Sequence, residues 1–354
     1  MASILNIGLD IGNSDVKTSL TSTPSGYGEY NKIPYGASEA LIYEGVNYVP
    51  DIERFPYVRD KTVDEKCFVL SLFGIAKEIV TLVSKKCNSA EEVQAKIDSV
   101  THINLGVGLP PAHISNLRES LENYYRTNFG NGISFSYMTE ETRKKKSNEI
   151  LTYAGTYHFN NLKLNVLGVY PQDLAAALIA PSLQKKKDDE NYFTNRYSVS
   201  GYYAIDIGGF TVDVVPIINK RPRVAECVSL EYGVLRLCGE IEKIVNREFD
   251  INLSDTQIQN VLIGEQTALS TEVIEAIESV AADWVTKIIN QIRRGGLEFN
   301  AMPVIFLGGG SVLLKNQIES NKMIKQCEHT FISTVNANAC GFKAFVQSEA
   351  AKKG

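Results

Sequence analysis

The sequence predicts an α/β protein of two domains, on three observations. Its 354 residues exceed what one hydrophobic core usually organises, since single cores rarely grow past about 250–300 residues. Strand-like and helix-like segments alternate along nearly the whole chain, the pattern of an α/β architecture. One hairpin pattern, an apolar strand ending in Asp-Ile-Gly, a tight turn and a returning strand, occurs near 5–17 and again near 202–213.

Composition narrows the class. Hydrophobic residues make up 44% and charged residues 22%, an ordinary globular mixture. The formal net charge of −5 argues against a protein that coats nucleic acid through bulk charge. Cys67, Cys87, Cys227, Cys238, Cys327 and Cys340 form no CxxC pair, and the four histidines are scattered. That excludes a zinc pattern and fits six reduced thiols in a cytoplasmic protein. Asp10 interrupts the first apolar stretch early, so no export signal is expected. Phe68–Val83 is the most apolar later segment, but it contains Lys77 and Glu78. It reads as a buried helix, not a membrane span. The final SEAAKKG carries no amphipathic anchor.

The elements follow in order. Leu5–Asp10 and Val16–Leu20 read as short strands around a turn at Gly12–Asn13. Residues 24–64, rich in Gly, Pro and Tyr, read as an irregular insertion. Helices are expected near 65–86 and 90–100, then a strand over His102–Gly108. Pro110–Pro111 would open a helix to about Tyr125. Strands near 133–138 and 163–170 lead to a short helix after Pro171. Arg143–Lys146 and Lys185–Glu190 read as solvated charge runs. Strands at 199–207 and 211–218 precede helices near 233–248, 254–262 and 270–293. A strand at 303–307 and helices near 312–320 and 337–350 finish the chain.

The repeated hairpin suggests chemistry. Glycine permits a tight bend and lets backbone N–H groups approach a phosphate. A carboxylate at each strand end, Asp10 or Asp206, can hold a hydrated Mg²⁺, which keeps several of its waters. Either hairpin alone is a common structural turn. Two matching copies, with Lys17 in one where the other carries Asp213, favour a shared function. A third element, Pro303-Val304-Ile305-Phe306-Leu307-Gly308-Gly309-Gly310-Ser311, reads either as a helix-entry loop or as a flat backbone surface for a base or ribose.

In this order the three elements resemble the phosphate 1, phosphate 2 and adenosine motifs of the actin, heat-shock-chaperone and sugar-kinase superfamily. The resemblance runs from residue 5 to about 311. It implies an α/β, actin-like two-domain ATPase fold, duplicated ribonuclease H-like domains with nucleotide in the interdomain cleft. Domain I would comprise 1–168 plus 325–354, and domain II 169–324. Val169–Leu178 would form the first connecting helix, and the helix from Asn336-Ala337-Asn338-Ala339-Cys340-Gly341-Phe342 the second. The chain length, Asp10-Ile11-Gly12-Asn13-Ser14-Asp15-Val16-Lys17 and Gly106-Val107-Gly108-Leu109-Pro110 are most similar to the ParM-like bacterial actins that segregate plasmids.

That resemblance implies ATP or GTP with Mg²⁺ as cofactors. Asp10 and Asp206 would hold the water shell of the metal, and Lys17 would reach the β- and γ-phosphates. Gly12, Asn13 and Ser14 would face Gly208, Gly209, Phe210 and Thr211 across the phosphates. Gly308, Gly309, Gly310 and Ser311 would support the nucleoside, and Glu240 and Lys243 would contact ribose or base or simply form a solvated helix face. ParM relatives often carry Glu where this chain has Gln172. A neutral amide there would orient water without acting as a strong base, and Asp173 is an alternative, about 100° away if helical. The implied partners are further copies of the chain in a head-to-tail filament and a DNA-binding adaptor at a plasmid centromere. Direct nucleic-acid or membrane binding is not expected. A cell-shape, division or pilus-type actin homologue, or a small-molecule kinase of the same superfamily, is the alternative.

Overall fold

The computed structural model describes residues 3–12, 15–51, 53–55, 60, 62, 64–110, 113–140, 143–144, 150–183, 197, 201–332, 334 and 336–353. The expected loop 185–190, together with Lys145, Lys146 and Pro111, lies outside the described residues. The chain divides into two units, Met1–Ala176 with Asn338–Gly354, and Ala177–Ala337. The expected boundaries at 168/169 and 324/325 both move. The first moves because the strand ending at Pro171 still belongs to the first sheet. The second moves because His329–Phe331 pairs in the second sheet.

The first unit begins with β1 (Ser3–Ile11), β2 (Asp15–Thr18), β3 (Ser22–Pro24), β4 (Tyr27–Tyr30), β5 (Glu39–Tyr43) and β6 (Val46–Pro50). It continues with α1 (Glu65–Ser84), α2 (Ala90–Ser99), β7 (Val100–Leu109), α3 (Ile114–Phe129) and β8 (Ile133–Thr139). Then come β9 (Arg143–Lys144), β10 (Ile150–Thr152), β11 (Gly155–Pro171) and α4 (Leu174–Ile179), the last crossing the unit boundary. Nine strands form one sheet in the order β3-β2-β1-β7-β11-β8-β5-β6-β4.

The expected irregular insertion is therefore partly sheet. Glu44 and Gly45, at φ 50° and 79°, connect Tyr43 to its partner Val46. Two successive positive φ values match the twist of paired strands. The expected strand at 163–170 is the second half of a 17-residue strand. Asn161, at φ 53°, marks the change between halves. Through Leu162 β11 runs antiparallel to β8, and from Lys163 parallel to β7. That run also corrects the first connecting helix, since Val169 and Tyr170 are strand residues and helix begins only at Leu174.

Helix α1 meets the length and hydropathy of a membrane span, with a mean hydropathy of 1.8 over a window that is 89% buried within the protein. Leu72, Phe73, Ile75, Ala76 and Ile79 are fully buried, each large side chain contributing about 1.5–3 kcal/mol. Its two interior charges are both satisfied. Lys77 donates to Glu39 at 2.8 Å. Glu78 accepts from Thr18 Oγ1 at 2.7 Å, Leu20 N at 3.0 Å, Ser19 Oγ and Lys343 Nζ at 3.2 Å.

The C-terminal helix, Ala337–Lys353, lies on the opposite face of β1. Leu9 faces Gly74 of α1, whereas a Cβ on Gly8 would fall 1.8 Å from the Ala339 carbonyl oxygen. Adjacent strand residues point to opposite faces, so the two helices sandwich β1. At Gly106 of the neighbouring strand a Cβ would lie 2.5 Å from the Phe342 oxygen.

The second unit contains β12 (Tyr202–Ile207), β13 (Val212–Ile218), β14 (Arg221–Pro222), β15 (Val228–Leu230), α5 (Val234–Phe249), α6 (Asp255–Leu262) and α7 (Thr271–Arg294). It ends with β16 (Val304–Leu307), α8 (Gly309–Leu313), α9 (Lys315–Ser320) and β17 (His329–Phe331). The sheet order is β14-β13-β12-β16-β17, with β15 also paired to β13. Ile241 and Val245 of α5 and Ile277, Trp284 and Ile288 of α7 share its core with the sheet. The helix expected over 312–320 is two short helices, the first starting at Gly309.

Glu78→Ala would leave three hydroxyl or amide donors and Lys343 without their common acceptor. Removing one partner of a buried pair costs roughly 3–5 kcal/mol. Because Lys343 retains 26% side-chain exposure and can rehydrate, a loss of about 2–3 kcal/mol is expected. Urea unfolding should show it as a lower midpoint at unchanged slope.

Candidate functional site

The first hairpin places Asp10 directly opposite Lys17 in the β1–β2 register, opposite charges on one face of a two-stranded pair. Its turn is closed by Gly12 N donating to Asp15 O at 3.0 Å, while Ser25 Oγ donates to Gly12 O at 2.7 Å. Asn13 and Ser14 lie outside the described residues. Gln172 joins this hairpin: its Nε2 donates to Asp10 Oδ1 at 2.9 Å, and its backbone N to Leu109 O at 2.8 Å. Donation from Nε2 fixes the side-chain amide and leaves Oε1 as its acceptor.

Asp173 is not helical, as the sequence suggested it could be. Its φ is 57°, and Leu174 N donates to Gln172 O across it, closing a three-residue turn of a rare, strained kind. Asn338 holds that turn. Its Oδ1 accepts from Asp173 N at 2.8 Å and its Nδ2 faces Asp173 Oδ1 at 3.4 Å.

In the second hairpin Asp206 stands opposite Asp213. Gly208 N donates to Thr211 O at 2.9 Å, and Thr211 Oγ1 donates to Asp213 Oδ2 at 2.6 Å. The carbonyls of Gly208, Gly209 and Phe210 accept from the N–H groups of Val234, Leu235 and Gly233 at 3.1, 2.9 and 3.0 Å. The turn thus satisfies orphan donors at the start of α5, which has no side-chain cap. Gly233 is required there, because a Cβ would lie 2.3 Å from Phe210 C. Phe210 itself is 48% exposed. Asp206 is buried. Burial pushes the Asp213 carboxyl above its ordinary range, against the lowering effect of hydrogen bonds from Ser229 and Thr211.

The third element packs on the second. Gly308 has φ 85°, and a Cβ there would fall 2.1 Å from Asp206 Oδ1. Open space lies over Gly309, while Gly310 is pressed against Ile207 and Val234. Ser311 is fully buried, and its hydroxyl donates to Gly308 O at 2.8 Å. That hydroxyl closes the helix-entry turn, so the flat outer surface is carried by Gly309. Glu240 and Lys243 lie on the exposed side of α5 and pair with each other at 3.5 Å.

The fold therefore gathers Asp10, Lys17 and Gln172 in one unit, and Asp206, the 208–211 turn and Gly308–Gly310 in the other. Sequence reasoning missed Gly233 and Asn338. The first has a signal in its position just before a helix, the second none, because its partner is 165 residues away. Among the described residues no group of three or more His, Cys, Asp or Glu side chains could hold a metal ion. Single strand-end carboxylates, hard oxygen donors beside glycine turns, fit Mg²⁺ held through water and substrate phosphates.

Residues 204–320 match the family model for the archaeal actin homologue MreB-like, C-terminal. A comparison with curated proteins finds no match. Among solved structures, an archaeal actin homologue in complex with ADP superposes with a TM-score of 0.60 at 17% identity, covering 100% of both chains. A 15-stranded ParM filament from Clostridium botulinum gives 0.63 at 16% identity, covering 98% of this chain and 100% of that one. The actin-like protein Alp7A gives 0.65 at 14% identity, covering 100% and 98%. The chain has the actin-like fold.

Asp213 supplies a pH test. A carboxyl whose folded pKa is raised above its unfolded value favours the folded state below the unfolded pKa and loses that contribution as pH rises through the folded pKa. In metal-free, nucleotide-free protein, Asp213→Asn is therefore expected to be more stable than the parent at pH 7. The gain should shrink as pH falls toward 4, followed by thermal melts across pH.

Proposed function

We propose that this chain is a polymerising, actin-type nucleotide hydrolase that binds ATP or GTP with Mg²⁺ and assembles head to tail into cytoplasmic filaments. The observation that carries this reading is the twice-built Asp-Ile-Gly hairpin, with the Gln172 amide bonded to Asp10 in one copy. Support also comes from the archaeal homologue solved with ADP and the ParM filament, which share the fold. A nucleotide engaging both hairpins would favour whichever arrangement of the two units lets it touch both.

Phosphoryl transfer asks the protein mainly for positioning and electrostatic stabilisation. Mg²⁺, when bound, would offset the charge of the phosphates. Asp10 and Asp206 would hold it through water, and Lys17 would bring its ammonium to the β- and γ-phosphates. The Gly209 backbone amide would contribute a further donor. Gln172, its Nε2 committed to Asp10, presents Oε1 to the attacking water and places it in line without taking up a full proton. Gly309 offers open backbone to the nucleoside.

The reading extends to plasmid segregation through a DNA-binding adaptor, supported by the ParM likeness. The family match to an archaeal actin homologue favours a second reading, a filament former outside plasmid partition. Genomic neighbourhood separates the two, since a small DNA-binding adaptor gene alongside belongs to the first alone.

Light scattering and phosphate release, followed together across a protein titration with ATP and separately GTP, test the hydrolase. Polymer above a critical concentration, with release per subunit rising beyond it, is expected. Flat release, no pelletable polymer with either nucleotide and phosphorylation of a small-molecule acceptor would replace it with a kinase. Asp206→Ala should lower turnover by at least ~10²-fold. Gln172→Ala should slow hydrolysis while assembly survives, giving longer-lived filaments.

A further inference from the structure

We infer that Asn338 is a positioning residue for hydrolysis: by holding Asp173 in a left-handed turn, it aims the Gln172 amide at Asp10. The inference rests on the hydrolase reading and assigns a role to a side chain outside both phosphate hairpins.

The geometry is a chain of contacts within the first unit. Gln172 is the last residue before the turn, fixed at its backbone by Leu109 O and at its side chain by Asp10. Asp173 then adopts φ 57°, a region that costs energy for a residue with a Cβ, less for Asp than for most, and that contacts must offset. Asn338 is one of the groups that hold it here. Asn338 accepts from the Asp173 backbone N–H and offers its own NH₂ to the Asp173 carboxylate. These partners need opposite ends of the amide, so its orientation is set and no shorter side chain can serve both.

Asn338 can act as an anchor because the helix carrying it is itself fixed. One residue further on, the Ala339 carbonyl sits where Gly8 lacks a Cβ, and Phe342 does the same at Gly106. At Gly341 a Cβ would meet the Ala175 backbone at 2.6 Å, so the same helix is packed against α4 just after the turn. Lys343 ties it to Ser19 at 2.8 Å and to Glu78 at 3.2 Å. Without Asn338 the turn at 173 loses two of the contacts that hold its unfavourable φ, and relaxation there rotates Gln172 away from Asp10. The nucleotide contacts proposed above involve neither Asn338 nor Asp173, so binding should be spared while turnover falls.

The test uses a second substitution that removes the strain and leaves the lost hydrogen bonds lost. Glycine adopts positive φ without penalty. Asn338→Ala is expected to lower kcat about tenfold or more with the nucleotide KM within about threefold. Adding Asp173→Gly to Asn338→Ala should bring kcat back to within about threefold of the parent. In nucleotide-free protein, amide exchange at Gln172 should rise about tenfold or more in Asn338→Ala and fall again in the double variant. A parental kcat and parental Gln172 exchange in Asn338→Ala overturn the inference, as does a loss that Asp173→Gly fails to recover. If the parent chain hydrolyses neither ATP nor GTP, the proposed function fails on its own. The exchange pattern then still decides whether Asn338 holds the turn.

Discussion

The close approach of the C-terminal helix to the glycine-bearing face of β1 and β7 governs the first unit. Side chains at Gly8 and Gly106 would occupy the space of that helix's own backbone. Backbone-to-sheet contact at this range positions a helix more tightly than interdigitated side chains would, because there is no flexible group left to adjust. Everything the helix carries inherits that placement. Lys343 reaches the buried Glu78 and the residues just after Lys17, and Asn338 reaches the turn beside Gln172. The last seventeen residues of regular structure therefore hold the first hairpin from two sides.

The two hairpins share a backbone plan and differ in charge. In the first, Asp10 faces Lys17 in the strand register and accepts a hydrogen bond from Gln172. In the second, Asp206 faces Asp213 in the strand register. Like charges opposed across a strand pair are unfavourable, and the burial of Asp213 adds to the penalty. Hydrogen bonds from Thr211 and Ser229 relieve only part of it. The two hairpins thus repeat one backbone plan around unlike charge pairs.

Period and punctuation made most of the fold legible. The Asp-Ile-Gly echo located both hairpins, and uninterrupted apolar sequence located α1 despite Lys77 and Glu78, whose partners are far off in sequence. The strands in 27–50 were hidden because glycine and tyrosine mask alternation, although Glu44–Gly45 is a recognisable two-residue turn. β17 spans only His329–Phe331, too short to show a period. At the site, residue types were readable and their burial was not. Ser311 belongs to the glycine-rich element expected to support a nucleoside, yet its hydroxyl's partner is the Gly308 carbonyl three residues back. The helix-entry glycine at 308 has the positive φ that turns the chain inward. Asp173 was read on a helical wheel, and only the contact with Asn338 reveals a left-handed turn.

The identity of residue 172 follows from its neighbour. Gln172 Nε2 lies 2.9 Å from Asp10 Oδ1, a distance at which a glutamate in the same pose would set two carboxylates against each other. One of them would have to take up a proton or swing away, as in any pair of acids forced to share a site. With glutamine the contact is a hydrogen bond to an ionised acceptor, among the stronger kinds available to a neutral donor. The amide oxygen of Gln172 is left as its acceptor. An amide held at both its nitrogen and its backbone has little conformational freedom left to lose.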